Sequence, residues 1–137
     1  MKKIFIICSK AFYKDIKPIK EILEKNNWEV FLPHTYENPD AESEWYAKGQ
    51  EEHAKMKGEM FKRSRERIKA MDAVLTLNFD KNGKKNYIGG STFLELYEAF
   101  MEGKDIYLWN EVPEGILFDE INGFAPKVKN GKLELVK

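Results

Sequence analysis

The segment MDAVLTLNFDKNGKKNYIGGSTFLELYEAF, residues 71–100, decides the fold. Its first part, Ala73–Phe79 (AVLTLNF), is apolar almost throughout rather than alternating, the pattern of a strand covered on both faces. A polar loop follows, and then Tyr87-Ile88-Gly89-Gly90-Ser91-Thr92 leads into a helix expected from Thr92 to about Met101, stopped by Gly103. Ile106–Trp109 supplies the next short apolar run. Strand, glycine turn, helix and strand in this order make a right-handed parallel crossover.

The chain on the amino-terminal side repeats the pattern. Ile4–Cys8 is a continuous apolar run and reads as a first buried strand. Asp15 can cap a helix to about Asn26, in which Ile16, Ile19 and Leu23 recur at helical spacing and Pro18 falls in the tolerant first turn. Trp28–Leu32 is a second strand, ended by Pro33. A long helical stretch from about Ala41 to Met71 carries Trp45, Gly49, His53, Met56, Met60, Ser64, Ile68 and Met71 on one face. Gly49 and Gly58 weaken it by about 1 kcal/mol each relative to alanine, so a bend or break is expected within it. Beyond Trp109 the pattern weakens: a short helix near Asp119–Ile121, then a strand at Lys127–Val128 or Leu133–Val136 with a turn at Asn130-Gly131.

These elements predict a Rossmann-like or flavodoxin-like α/β three-layer sandwich. Its sheet is mostly parallel, with four or five strands in an order of about 2-1-3-4-5, and residues 1–137 form a single domain. Lys plus Arg balance Asp plus Glu at 23 each, so no global field points to nucleic acid or membrane. The sole cysteine, Cys8, has no internal disulfide partner, and no His/Cys cluster has metal-ligand spacing, so neither metal nor cofactor is expected. The run after Lys2-Lys3 is too short for a signal sequence, and no segment approaches the ~20 apolar residues of a membrane span. A cytoplasmic location is the expectation.

Ligands of such sheets sit beyond the carboxyl ends of the strands, where strand order reverses. That edge should gather Cys8, Ser9 and Lys10 after the first strand, Asn78 at the end of the third, and the turn Tyr87–Thr92. Paired glycines let a ligand approach the backbone, and the free amides of a helix start favour an anion. Glu95 has two readings. Thr92-x-x-Glu95 is a capping box in which the carboxylate would bond back to the Thr92 amide. Alternatively, Glu95 is a carboxylate nucleophile at the mouth of the site.

The 71–114 stretch, and above all Asn86-Tyr87-Ile88-Gly89-Gly90-Ser91-Thr92-Phe93-Leu94-Glu95, resembles the nucleoside 2-deoxyribosyltransferase-like family, which includes nucleotide N-glycosidases. The resemblance implies cleavage of the N-glycosidic bond of a nucleoside or nucleotide by a retaining double displacement, with Glu95 as nucleophile. It also implies that Ser9, Gly89, Gly90 and Ser91 line the sugar or its 5′ group, and that the protein is a homodimer or larger homo-oligomer. The chain departs from the family at three positions: Ser64 stands where a carboxylate is usual, Gly89 where many transferases carry aspartate, and Tyr97 where a glycine is usual. Protonation of the leaving base then has no evident agent. A non-catalytic nucleotide- or nucleotide-sugar-binding module using the same pocket is the alternative.

Other residues divide between roles. Tyr13 and Tyr87 can stack on or hydrogen-bond a nucleoside, and Asn78 can bond a sugar hydroxyl or cap its own strand. Asp72, at the wrong end of its strand, reads as a turn or capping residue, His53 as structural, and Cys8 as a small buried side chain, while His34 is the one histidine placed to meet a ligand and otherwise a surface-loop residue. The basic run Lys62–Lys69 is interrupted by Glu66 and surrounds its helix, so a solvated face is expected and nucleic acid is not.

Overall fold

The computed structural model describes residues 1–137. Five strands, β1 (Lys2–Ile7), β2 (Trp28–Phe31), β3 (Ala73–Thr76), β4 (Asp105–Leu108) and β5 (Lys127–Val128), form one sheet in the order β2-β1-β3-β4-β5. Every pairing is parallel, and β1 lies against both β2 (Ile4↔Val30) and β3 (Ile4↔Ala73). The expected fold class and strand order are therefore those of the molecule.

Alternate residues of a strand point to opposite faces, so a sheet covered on both sides needs apolar residues at every position. One face buries Ile4, Ile6, Leu75 and Leu77 against Ile16, Ile19 and Leu23 of α1 (Ile16–Lys25). The other buries Phe5, Ile7, Val74, Ile106 and Leu108 against Ile68 of α3 (Gln50–Lys69), Met71 just beyond it, and Leu96 and Ala99 of α4 (Gly90–Met101). The chain reaches α3 through α2 (Ala41–Ala47), and a short α5 (Phe118–Gly123) precedes β5. No helix is long and apolar enough to cross a membrane.

Local differences from the expectations have physical causes. The long helix breaks at Gly49, whose backbone (φ 108°, ψ 162°) is open to glycine and strained for other residues, whereas Gly58 continues inside α3. Asp15 makes no side-chain cap, because Lys10–Asp15 is already a 3-10 turn running into α1 and capped by the Ser9 hydroxyl, which accepts from the Ala11 amide at 3.4 Å. The last strand is only Lys127–Val128. Leu133–Leu135 is a 3-10 turn that buries Leu133 and Val136, and the Trp28 indole donates to the Val136 carbonyl at 3.1 Å. Asp72 is a turn residue, accepting from the Lys3 amide at 2.7 Å at the amino edge of the sheet.

The Gly49 backbone yields a clean test, because no heavy atom lies within 4 Å of a Cβ built there. Gly49→Ala is expected to lower unfolding free energy by about 1–3 kcal/mol through backbone strain alone, measured by urea denaturation. Loss confined to a few tenths of a kcal/mol would mean that the α2–α3 junction relaxes freely.

Candidate functional site

At the carboxyl edge, the chain leaves β1 toward one face of the sheet and leaves β3 toward the other. Between these departures lies a cavity of about 310 Å³. The β1 turn brings Cys8, Ser9, Lys10 and Tyr13 to it, and the segment after β2 brings Pro33, His34 and Thr35. Helix α2 contributes Glu42, and α3 contributes Lys57, Met60 and Ser64. The loop after β3 adds Lys81 and Tyr87, while the start of α4 adds Gly89, Gly90, Ser91, Thr92 and Glu95. Every site residue expected from the sequence is on this cavity except Asn78.

Asn78 is fully buried and its side chain is committed elsewhere. Its amide nitrogen donates to the carbonyls of Asn110 and Glu111 at 3.0 and 3.1 Å, and its Oδ1 accepts from the Asn110 amide at 2.8 Å. Asn110 returns a bond to the Asn78 carbonyl at 3.1 Å. The pair clamps the end of β3 to the end of β4, so the cap reading holds and Asn78 has no group left for a sugar.

The capping box does not form. Helix α4 starts at Gly90 with Gly89 as its N-cap, two residues before Thr92, and no side chain caps it. The preceding turn is fixed by Asn86 (φ 54°), whose amide donates to Asp80 Oδ1 at 3.0 Å, and by the Tyr87 amide bonding the Phe79 carbonyl at 2.8 Å. The first-turn amides of α4 are therefore left without partners in the helix, and Glu95 lies one turn further along, facing the cavity.

Desolvation pushes the Glu95 carboxyl up to about 7, against the Ser64 hydroxyl and the positive charges of Lys57 and Arg67, which favour its ionised form. Burial, with the negative charge of Glu95 and Asp15 behind it, lifts the Cys8 thiol to about 12, which leaves it protonated and unreactive. Tyr13 is raised to about 12 mainly by burial, and its hydroxyl shares a 2.7 Å hydrogen bond with Thr35. His34 is pushed down to about 4 by burial and then by Arg67 and Arg63; it is neutral near pH 7, and its buried Nε2 has no partner.

Sequence reasoning missed Glu42, Lys57 and Lys81. Glu42 and Lys57 form a 2.6 Å ion pair on the cavity, and Lys81 Nζ donates to Ser9 Oγ at 3.1 Å. Lys57 had a signal, since it lies at helical spacing between His53 and Met60 and so on the face already recognised. The other two are brought in by tertiary structure. His53 stacks on Tyr46 at 3.6 Å and is structural. The basic run is dispersed: Arg65 pairs with Glu98 at 3.4 Å, Lys69 with Glu66 at 3.4 Å, and Arg67 donates to the Leu32 carbonyl at 2.6 Å beside the Phe5 ring. No protein-family model, curated protein or solved structure matches this chain.

Glu95 makes stability depend on pH with a definite sign. Its folded value of about 7 lies above the ordinary 4.5, so between these pH values the folded state holds a proton that the unfolded chain releases. The stability this proton brings is complete below pH 4.5, declines as pH rises, and is gone above 7. Glu95→Gln stays neutral throughout. Relative to wild type it is expected to gain on the order of 1–3 kcal/mol between pH 4 and pH 8, read from urea midpoints. A difference that does not change with pH would place the carboxyl in ordinary solvent.

Proposed function

We propose that this chain is an enzyme acting on the N-glycosidic bond of a small-molecule nucleoside or nucleotide, of the deoxyribosyltransferase or N-glycosidase type. The observation that carries this reading is the Glu95 carboxyl facing a cavity whose rim is the Gly89-Gly90 turn and Ser9. A carboxylate among desolvating walls is a stronger nucleophile than one in water, and the unpartnered amides of α4 favour the polar end of a sugar. The resemblance of residues 86–95 to the deoxyribosyltransferase-like family supports the same assignment.

In this reading the ionised Glu95 attacks the anomeric carbon. The C–N bond breaks, its electron pair leaves on the base nitrogen, and the base is protonated from solvent. A glycosyl ester on Glu95 remains. Water or an incoming base then attacks the same carbon from the opposite side, releasing the carboxylate with net retention. Glu42, the second carboxylate on the cavity and paired with Lys57 at 2.6 Å, is the base assigned to take the attacker's proton. Tyr13 and Tyr87, which line the cavity, are the aromatic residues assigned to the nucleoside. No cofactor enters this scheme.

Self-association belongs to the same proposal. Leu94, Tyr97, Phe100 and Met101 of α4, with Phe118 of α5, are 43–61% exposed, and Tyr97 and Phe100 pack on the Phe124 ring at 6.3 and 5.6 Å. An apolar strip of this kind is the surface a homodimer would cover. Light scattering is expected to give twice the mass of one chain, and Tyr97→Glu one chain only. A monomeric wild type would remove this part.

Free-base release from deoxy- and ribonucleosides and their monophosphates, followed by chromatography, tests the reaction. Glu95→Ala should lose about three orders of magnitude or more of the rate. Because only the ionised nucleophile reacts, kcat/KM should fall about tenfold per unit as pH drops below about 7. A second reading, a binding module, is favoured by Glu95 retaining its proton near neutrality. Folded wild type that binds a nucleotide and releases no base, with acceptor base supplied, would establish that reading instead.

A further inference from the structure

We propose that the substrates of this cavity are N-glycosides whose base is already a cation, a pyridinium or an N-alkylated purinium, so that the base departs as a neutral molecule. The inference rests on the N-glycosidic reading above and narrows it to one substrate class.

The side chains that border the cavity carry it. A neutral base leaves with the electron pair of the C–N bond and must gain a proton, a step that a placed acid accelerates about 10²–10⁴-fold. Imidazole and carboxyl groups are the usual donors near neutral pH. Glu95 and Glu42 are the only carboxyl groups on the cavity, and His34 is its only histidine. Glu95 is the nucleophile, and Glu42 is engaged by Lys57 at 2.6 Å. His34 is neutral, because burial and then Arg67 and Arg63 push it down to about 4, and its buried Nε2 has no partner. Burial keeps the protons of Cys8 and Tyr13 in place up to about 12. The rest of the polar wall is hydroxyl, ammonium and backbone, all weak acids near neutral pH. The cavity therefore holds a nucleophile and a base but no ready acid.

A quaternised ring nitrogen removes the need for one. The ionised Glu95 oxygen bonds to the anomeric carbon, the C–N bond breaks, and its electron pair neutralises the ring nitrogen without a proton. Water then attacks the glycosyl ester, the pair of the C–O bond returns to Glu95, and the water proton passes to Glu42 and on to solvent. The sum is a cationic glycoside and water giving sugar, neutral base and one proton.

The same charge answers the conflict at Glu95. Ser64, Lys57 and Arg67 favour its carboxylate, and the Cys8 and Tyr13 side chains also feel its charge, yet desolvation keeps the proton up to about 7. A cation within about 4–6 Å lowers a carboxyl pKa by about 1–3. The substrate itself then ionises the group that attacks it. The basic residues do not cancel this effect. Lys57 is offset by Glu42, Lys10 is exposed, and Lys81 is held at Ser9 Oγ at 3.1 Å. Arg67 lies off the cavity wall and donates to the Leu32 carbonyl at 2.6 Å.

Calorimetric titration of nicotinamide and of its ring-N-methylated cation into wild type and Glu95→Gln reads the class without turnover. At pH 8 the cation is expected to bind wild type about tenfold or more tighter than nicotinamide does. At pH 7 its binding should release about half a proton, seen as a dependence of the heat on the ionisation enthalpy of the buffer. Glu95→Gln should lose both the preference and the proton release. In parallel, kcat/KM for nicotinamide riboside should exceed that for adenosine, guanosine and cytidine about a hundredfold or more. Equal binding of the two nicotinamides by wild type, or a preference that persists in Glu95→Gln, would overturn the proposal. The failures separate: a Glu95-dependent preference with no base released from any glycoside sinks the catalytic reading alone. Base released from neutral nucleosides as fast as from nicotinamide riboside sinks the substrate class alone.

Discussion

The position of β1 between β2 and β3 is the constraint on which the remaining features depend. A parallel strand with neighbours on both sides obliges the chain to cross over one face on its way to β2 and over the other on its way from β2 to β3. Helix α1 covers the first face and α3 the second, and each packs on one of the two apolar sets that alternate along β1. The loops that leave the carboxyl ends of β1 and β3 diverge for the same reason. The space between them cannot be filled by either loop, and it becomes the cavity. The Asn78–Asn110 clamp ties the neighbouring ends of β3 and β4 together, which gives the α4 turn a rigid base.

Within that geometry the molecule carries a local conflict. Helix α4 must turn Leu96 and Ala99 into the core, and helical periodicity then directs Glu95 toward the enclosed side rather than to solvent. A carboxyl in such a place keeps its proton more readily, and the structure meets this only in part, through Ser64, Lys57 and Arg67. A glutamine would satisfy the same packing with no charge to desolvate.

The layers of the fold were legible because burial on both faces writes itself into consecutive apolar residues, as in Ile4–Cys8 and Ala73–Phe79, and crossover helices write 3.6-residue spacing. The edge at which the cavity lies followed from topology alone. What was not legible depends on residues far apart in sequence. Asn78 could be read as a sugar ligand or as a strand cap, because the partner that decides between them is 32 residues away. Lys81 looked like loop filler until the fold set it against Ser9, 72 residues earlier. Glu42 had no periodic signature, and its role appears only with Lys57 on the next helix. Gly49 and Gly58 carry equal intrinsic penalties, so propensity could not say which one would break the helix. The junction that lets α2 bury Trp45 while α3 buries Ile68 selects Gly49.

The Gly89-Gly90 pair shows how one sequence feature can hold two separate constraints. Gly89 has an ordinary backbone (φ −83°), so its freedom from strain is not the reason for glycine. A Cβ there would come within 3.0 Å of the Tyr87 hydroxyl, and the glycine makes room for that ring. Gly90 has open space around it, and what it leaves uncovered is backbone amide. The ring that Gly89 admits is the one over which Lys81 and Lys84 place their ammonium groups, at 4.7 and 5.9 Å. One glycine therefore makes room for Tyr87, and through it for the ammonium groups that stand over its ring, while the other exposes the start of α4. The turn reads as one motif in the sequence although each of its glycines answers to a different neighbour.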